Sequence, residues 1–234
     1  MFQDIPFYVL HCKALPERKL PMVDQLEKAN IRFAVFFEEA DPYDLALPTV
    51  LNGYAPKCLN LPLFEKKMKV YPRFSAKDMP PFMKPSQISL AFKHGLAYRD
   101  ALVKFPAAEF FVFLEDDVKF GDDLLRRMNF YMTQTPDDWD VIYFGNGCEL
   151  APANPSEGKL AYQVDHPASR CSDSILVRRS ALSALAENWF PFSLPSDWEL
   201  SWLHLFLDHR VYWWFPALTS QGSQNRSYTR SISE

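Results

Sequence analysis

The sequence predicts a mixed α/β protein, a single domain over residues 1–234 built on a mostly parallel sheet with helices against its faces. Residues Phe110–Leu114 (FFVFL) run apolar without a break, the habit of a central strand covered on both sides. The first 37 residues alternate strand, helix and strand, a βαβ unit whose right-handed crossover makes the two strands parallel. A chain of 234 residues with 48% hydrophobic content also buries enough for one large core.

Taken in order, Ile5–Cys12 (IPFYVLHC), apolar and partly β-branched, is the first strand. Pro16–Asn30 follows as a helix, with Leu20, Val23, Leu26 and Ala29 near one face and Pro21 tolerated in the first turn. Ile31–Phe37 (IRFAVFF) is the second strand. Leu47–Pro85 gathers prolines with weak periodicity and reads as irregular connections around short helices or strands, an insertion within the domain. Ser86 caps a helix that runs to Lys104 on Ile88, Ala91, Phe92, Leu96 and Leu102 and packs beside the Phe110–Leu114 strand. Asp122 caps the next, with Leu124, Leu125, Met128 and Tyr131 on one face and Pro136 as its stop. Val141–Phe144 is a buried strand, and Leu160–Val164 and Ser174–Val177 are shorter ones. Ser180–Asn188 is a capped helix, Ser196 opens another toward Leu207, and Val211–Phe215 closes the series as a strand.

A net charge of -4 with scattered Lys and Arg offers no basic face to a phosphate backbone, so nucleic acid is not an expected partner. No stretch reaches the length of a transmembrane segment and the N-terminus has no charged leader. A soluble, cytoplasmic protein is therefore expected, in a bacterium or in the host cytosol of a large DNA virus. Cys12, Cys58, Cys148 and Cys171 form no C-x-x-C pair and read as small buried hydrophobes in a reducing compartment. Neither G-x-G-x-x-G nor G-x-x-x-x-G-K-[ST] occurs, so a nucleotide has to be held by other means.

The most informative stretch is Phe110–Asp117, FFVFLEDD. Three adjacent carboxylates with no basic neighbour before Lys119 raise one another's pKa unless a cation sits among them, and clustered hard oxygens suit Mg2+ or Mn2+. In an extended chain Glu115 and Asp117 point to one side and Asp116 to the other, which makes Glu115 and Asp117 the expected metal ligands. The plainer alternative is a solvated turn after a strand. Against it stands the expected burial of that strand, because open α/β sheets bind ligands at the carboxyl ends of their strands.

With these pieces in place the chain resembles glycosyltransferase family 25, the lipopolysaccharide and collagen galactosyltransferase group. The likeness rests on Pro16-Glu17-Arg18-Lys19 after the first strand, the helix carrying Lys93-His94, the FVFLEDDVKF block, and Pro195-Ser196-Asp197 followed by Pro216 and Thr219-Ser220-Gln221. Where the family reads G-C-x-x-S-H, this chain has Ser89, Leu90, Lys93 and His94 and keeps only the histidine. The resemblance implies a GT-A type, Rossmann-like fold, a UDP-sugar donor with galactose as first guess, Mn2+ or Mg2+, and inversion at the anomeric carbon. A nucleotide-sugar-binding half over 1–150 and an acceptor-binding half over 151–234 go with it, the acceptor being a glycan or glycoprotein hydroxyl.

The chemistry adds its own demands. A departing diphosphate needs its charge neutralised, which a metal does without proton transfer. Inversion needs a carboxylate that takes the acceptor's proton. In Ser196-Asp197-Trp198-Glu199 the S-x-x-E spacing is that of a capping box, which occupies Glu199 and leaves Asp197 as the expected base; an ordinary first-turn acid is the alternative reading. His94 is carried by the resemblance as a donor-site residue. Asp116 is expected to order the ribose or the loop. His11, Lys13 and Arg18, at or just past the first strand's end, are candidates for the nucleotide, as are Gln221 and Ser223 in a polar run that can fold over the diphosphate with Arg226. Trp198 and Trp202 can stack on a sugar, although tryptophans at this spacing commonly belong to a core. A non-catalytic carbohydrate- or nucleotide-binding domain and a metal-dependent nucleotidyltransferase or phosphohydrolase are the competing classes.

Overall fold

Nine strands and six helices occupy the residues that the computed structural model describes, 2–42, 61–71, 83–224 and 228. The strands are β1 (Pro6–Leu10), β2 (Phe33–Phe37), β3 (Phe110–Glu115), β4 (Val118–Phe120), β5 (Val141–Tyr143), β6 (Ala161–Val164), β7 (Ser174–Arg178), β8 (Val211–Trp214) and β9 (Thr219–Gln221). The helices are α1 (Lys19–Lys28), α2 (Leu61–Met68), α3 (Pro85–Lys104), α4 (Leu124–Met132), α5 (Arg179–Asn188) and α6 (Ser196–Phe206).

Seven strands form one sheet in the order β2-β1-β3-β7-β5-β8-β6, to which residues before and after 150 both contribute. β1 runs parallel to β2 and β3, β5 runs parallel to β8, and β7 and β6 lie antiparallel to their neighbours, so β1, β2, β3, β5 and β8 share one direction. This is the mixed α/β, mostly parallel plan that the apolar runs predict. Phe111, Val112, Phe113 and Leu114 of β3 are fully buried, each side chain contributing about 1.5–3 kcal/mol by leaving water. Alternation along β3 divides them between two cores. Phe111 and Phe113 pack with residues of α3, α5 and α6, including Tyr98, Leu182 and Leu200, on one face. Val112 and Leu114 pack with residues of α1 and α4, including Met22, Leu26 and Met128, on the other.

Several boundaries move for identifiable reasons. α1 is preceded by a tighter turn over Pro16–Arg18. α3 starts at Pro85 rather than after Ser86: Pro85 fits the first helical position, Lys84 is the cap residue, and the Gln87 side chain accepts the Lys84 N–H at 2.9 Å. The cap of α4 is Asp123 in the left-handed region (φ 53°), not Asp122, and its carboxylate pairs with Arg126 instead of the helix N–H groups. α5 opens on Arg179 without a side-chain cap, so Ser180 does not serve as one. The capping box expected at Ser196 is also replaced: Glu199 accepts the N–H groups of Ser193 and Leu194 and pairs with Lys67 of α2, both side chains being buried. Of the proline-rich segment 47–85, α2 with residues 69–71 and 83–85 is described; residues 47–60 and 72–82, Cys58 among them, lie outside the described residues.

His94 of α3 is fully buried. Its Nδ1 pairs with the Tyr98 hydroxyl at 2.9 Å, its ring stacks on Trp189, and burial pushes its pKa down to about 3. It packs in the core and lines neither of the cavities described below. An acid-stability signature follows. The folded pKa lies below the unfolded value near 6.5, so this histidine's contribution is intact above pH 6.5 and is lost as pH falls toward 3, by up to ~1.4 kcal/mol per pH unit. His94→Phe is expected to lose less stability than the wild type between pH 6.5 and 4.5. Denaturant titrations at both pH values measure the difference, and parallel curves would contradict the assignment.

Candidate active site

The ends of β1, β3 and β7 meet at one edge of the sheet, and there the sequence turns acidic. β7 is antiparallel to β3 with Leu114 opposite Ser174, so Asp173, just before β7, lies beside Glu115, just where β3 ends. The Glu115 N–H donates to the Asp173 carbonyl at 2.9 Å. Glu115, Asp116, Asp117 and Asp173 thus come together, and the solvated-turn reading fails: Asp116, Asp117 and Asp173 are each 5% exposed or less.

The four carboxylates have different surroundings. Asp116 accepts from Arg18 Nη1 (2.8 Å) and the Cys12 N–H (3.0 Å) and pairs with His11 Nδ1 (2.9 Å), tying the end of β1 to the end of β3. Burial alone would raise its pKa, but the His11 hydrogen bond and the Arg18 charge hold it below the usual carboxylate range. Glu115 accepts from Ser172 (2.7 Å) and from Gln221 (3.4 Å); burial, then the Asp117 charge, pushes it up to about 8. Asp173 is pushed up to about 7 by burial and again by Asp117. Its carboxylate packs over Gly145, where a Cβ would stand only 2.0 Å from Asp173 Oδ2. Asp117 accepts the Ser223 N–H through Oδ2 at 3.1 Å, while its buried Oδ1 has no hydrogen-bond partner among the described residues. The same holds for Asp173 Oδ1.

Two cavities flank this cluster. One, of about 260 Å3, is lined by Glu115, Asp116, Asp117, Arg18, Lys93 and Ser223 among others. The other, of about 190 Å3, is lined by Glu115, Ser172, Ser196, Asp197, Gln221 and Gln224 among others. Glu115 borders both. The β4–β9 ribbon explains why Gln221 and Ser223 arrive there: β9 pairs antiparallel with β4, so the residues after β9 fold back over the acids, and the Gly222 N–H donates to the Asp117 carbonyl at 2.7 Å.

Of the residues expected from the sequence, the structure brings together Glu115, Asp116, Asp117, Asp197, Arg18, Gln221 and Ser223 around these cavities, with His11 behind Asp116. Lys13 stands apart: its N–H donates to Asp41 (2.8 Å), but its side chain is exposed and lines neither cavity. Lys93, rather than its neighbour His94, is the α3 residue that faces the first cavity, held by Asp41 (2.5 Å) and the Glu39 carbonyl. Trp198 packs edge-on to Tyr71 and Trp202 stacks on Phe206, so both serve contacts around α6. Arg226 lies outside the described residues. Sequence reasoning missed Asp173 and Ser172. The available signal was the polar run Arg170-Cys171-Ser172-Asp173 directly ahead of an apolar strand.

Asp197, at the start of α6, is partly buried on the wall of the second cavity, and its low-dielectric surroundings raise its pKa above the ordinary aspartate value. A carboxylate so placed is a stronger proton acceptor than one in water.

No protein-family model matches the chain and no curated protein is significantly similar to it, so the likeness to family 25 rests on the residues quoted above. Among solved structures, the chain is similar to a glycosyltransferase involved in the glycosylation of the major capsid of PBCV-1, with a TM-score of 0.49 and 12% identity over 92% of this chain and 93% of that one. It is also similar to A197 from STIV, with a TM-score of 0.46 and 12% identity over 92% of this chain and 82% of that one. No helix among the described residues is long and apolar enough to cross a membrane.

Proposed function

We propose that the chain is a metal-dependent, inverting glycosyltransferase of GT-A type that moves a sugar, galactose as the first candidate, from a UDP-sugar to a hydroxyl of a glycan or glycoprotein. The observation that carries this reading is the acidic edge itself: buried carboxylates, two of whose oxygens have no partner among the described residues, beside two adjoining cavities, the shared wall being Glu115.

The residues present fit a hard divalent cation. Asp117 Oδ1 is buried without a hydrogen-bond partner among the described residues and the pKa of Glu115 is driven up by burial and by the neighbouring charge, the signature of an acidic pair short of positive charge. Glu115 and Asp117 would hold Mn2+ or Mg2+, which neutralises charge on a departing diphosphate. Among the described residues no group of three or more His, Cys, Asp or Glu side chains forms a complete ligand set by itself.

The chain's own residues divide the remaining work. Arg18 and Lys93 put positive charge on the wall of the first cavity, where a pyrophosphate needs it. Asp116, committed to His11, Cys12 and Arg18, fixes the loop after β1 and orients Arg18. The Ser223 N–H and Gln221 hold the segment after β9 against the acids, over the donor. Asp197 in the second cavity takes the acceptor hydroxyl's proton, on the face away from the leaving group. Donor and acceptor then fall largely to residues before and after 150 respectively.

Asp197→Asn removes the base while keeping the side chain's shape. The expected result is a fall in kcat of about 10²–10⁴-fold with donor affinity changed less than about threefold. Steady-state kinetics of UDP release across a panel of UDP-sugars measures both. Loss of donor affinity with the rate per bound donor retained would remove Asp197 from this role.

A further inference from the structure

Cys148 and Cys171 depart from the buried-hydrophobe reading: Cys148 is exposed, Cys171 is partly buried, and their sulfurs lie 3.4 Å apart as free thiols. The two loops carrying them are held at this distance by specific features. At Gly147, beside Cys148, an added Cβ would stand 2.4 Å from the Cys171 Cβ, so only glycine lets the loops approach so closely. Both cysteines occupy the left-handed backbone region, with φ of 52° and 62°, a conformation uncommon outside glycine that persists where the surroundings enforce it. Gln224 accepts the Cys148 N–H at 2.9 Å and sets its amide 3.8 Å from the Cys148 sulfur. Cys171 lines the second cavity, immediately before Ser172, whose hydroxyl holds Glu115.

From this juxtaposition we infer that Cys148 and Cys171 form a modification site, a dithiol that a peroxide oxidises reversibly to a disulfide at the rim of the second cavity. Closing from 3.4 Å to a sulfur–sulfur bond of about 2.05 Å needs a movement of roughly 1.4 Å, within reach of two surface loops. The roles follow from exposure. Burial pushes the Cys171 thiol up, so it keeps its proton, and the exposed Cys148 sulfur is the one a dissolved oxidant meets. The Cys148 thiolate attacks one peroxide oxygen, the O–O bond breaks, and the released hydroxide takes a proton to leave as water, giving a sulfenic acid on Cys148. The Cys171 sulfur then displaces that hydroxyl, its own proton completing a second water. In sum, two thiols and one hydrogen peroxide become one disulfide and two waters. A dithiol such as dithiothreitol reverses the change by exchange.

The test uses the full chain with hydrogen peroxide in slight excess, followed by thiol counting in denaturant and peptide mass mapping. The expected result is a fall from four free thiols to two, a Cys148–Cys171 crosslinked peptide 2 Da lighter than the sum of its reduced halves, and recovery of all four with dithiothreitol. Cys171→Ser is expected to stop at the sulfenic acid, trapped on Cys148 by dimedone, and Cys148→Ser to leave Cys171 reduced. Four thiols remaining after oxidation, a bridge that includes Cys12 or Cys58, or over-oxidation of both residues to sulfinic acids would each overturn the inference. Because the readout is the thiol chemistry of the protein alone, its outcome is separate from that of the glycosyltransferase reading.

Discussion

Asp117→Asn is expected to fold, to melt at or above the wild-type temperature, and to lose sugar transfer by roughly 10²–10⁴-fold, the several kcal/mol that a bound metal supplies to charge developing in a transition state. The unusual part is the sign on stability. Removing a buried carboxylate normally destabilises because its partners are orphaned. Here Asp117 Oδ1 has no partner to orphan among the described residues, and the Asp117 charge helps to raise the pKa of both Glu115 and Asp173. Neutralising it relieves that repulsion while an asparagine oxygen can still accept the Ser223 N–H. Thermal melting and initial rates on one preparation check both halves. A variant that melts well below the wild type, or that keeps full activity, would contradict this account of the acidic edge.

Lys67→Met is expected to produce the largest loss of stability, about 3–5 kcal/mol, the cost of leaving one partner of a buried pair uncompensated. For a domain of this size that lowers the melting temperature by roughly 6–20 °C. Lys67 is 1% exposed and Glu199 is fully buried, and Lys67 joins α2 to α6 as the ammonium also sits 4.5 Å over the Trp202 ring. Glu199 cannot turn to water, since the Ser193 and Leu194 N–H groups hold its other oxygen. Its pKa is already raised by burial against the pull of Lys67, so without the lysine the folded state takes up a proton that the unfolded state at neutral pH does not. The deficit should therefore shrink as pH falls from 7.5 to 5. Adding Glu199→Gln, which keeps an acceptor for the two N–H groups and removes the charge, is expected to recover about half of the loss. Calorimetric melts of the three proteins at two pH values test this, and equal deficits at both pH values would show that the buried charge is not the cause.

The fold was legible where apolar runs are long. FFVFL marks β3 as a doubly covered strand and the opening βαβ unit fixes β1, α1 and β2, because burial on both faces leaves a run of apolar residues and few alternatives. The strands β4 and β9 were not legible. Each has three residues and pairs with a segment about 100 positions away, and β9 carries only polar side chains, so the runs are too short for periodicity or composition to announce them. Caps failed for a related reason: Ser86, Asp122, Ser180 and Ser196 match local preferences, but Pro85, the left-handed Asp123 and the Lys67–Glu199 pair override them. In the site, the acids of one continuous motif were visible, whereas Asp173 depends on knowing that β7 runs antiparallel to β3, a fact of topology that no local pattern contains. His94 and Lys93 show the converse. They are adjacent on one helix, and which of them meets the cavity is a matter of helix rotation, about 100° per residue.

The most direct measurement is the melting temperature of the wild-type chain with UDP plus Mn2+, with UDP plus EDTA, and with Mn2+ alone. If Glu115 and Asp117 hold a cation that the pyrophosphate of a sugar nucleotide also touches, UDP plus Mn2+ raises the melting temperature well beyond either component by itself. Nucleotide at about a hundredfold above its Kd adds ~2.7 kcal/mol. Asp117→Asn should abolish that cooperative increment. An equal shift with UDP in EDTA, or no shift with any combination, would contradict it.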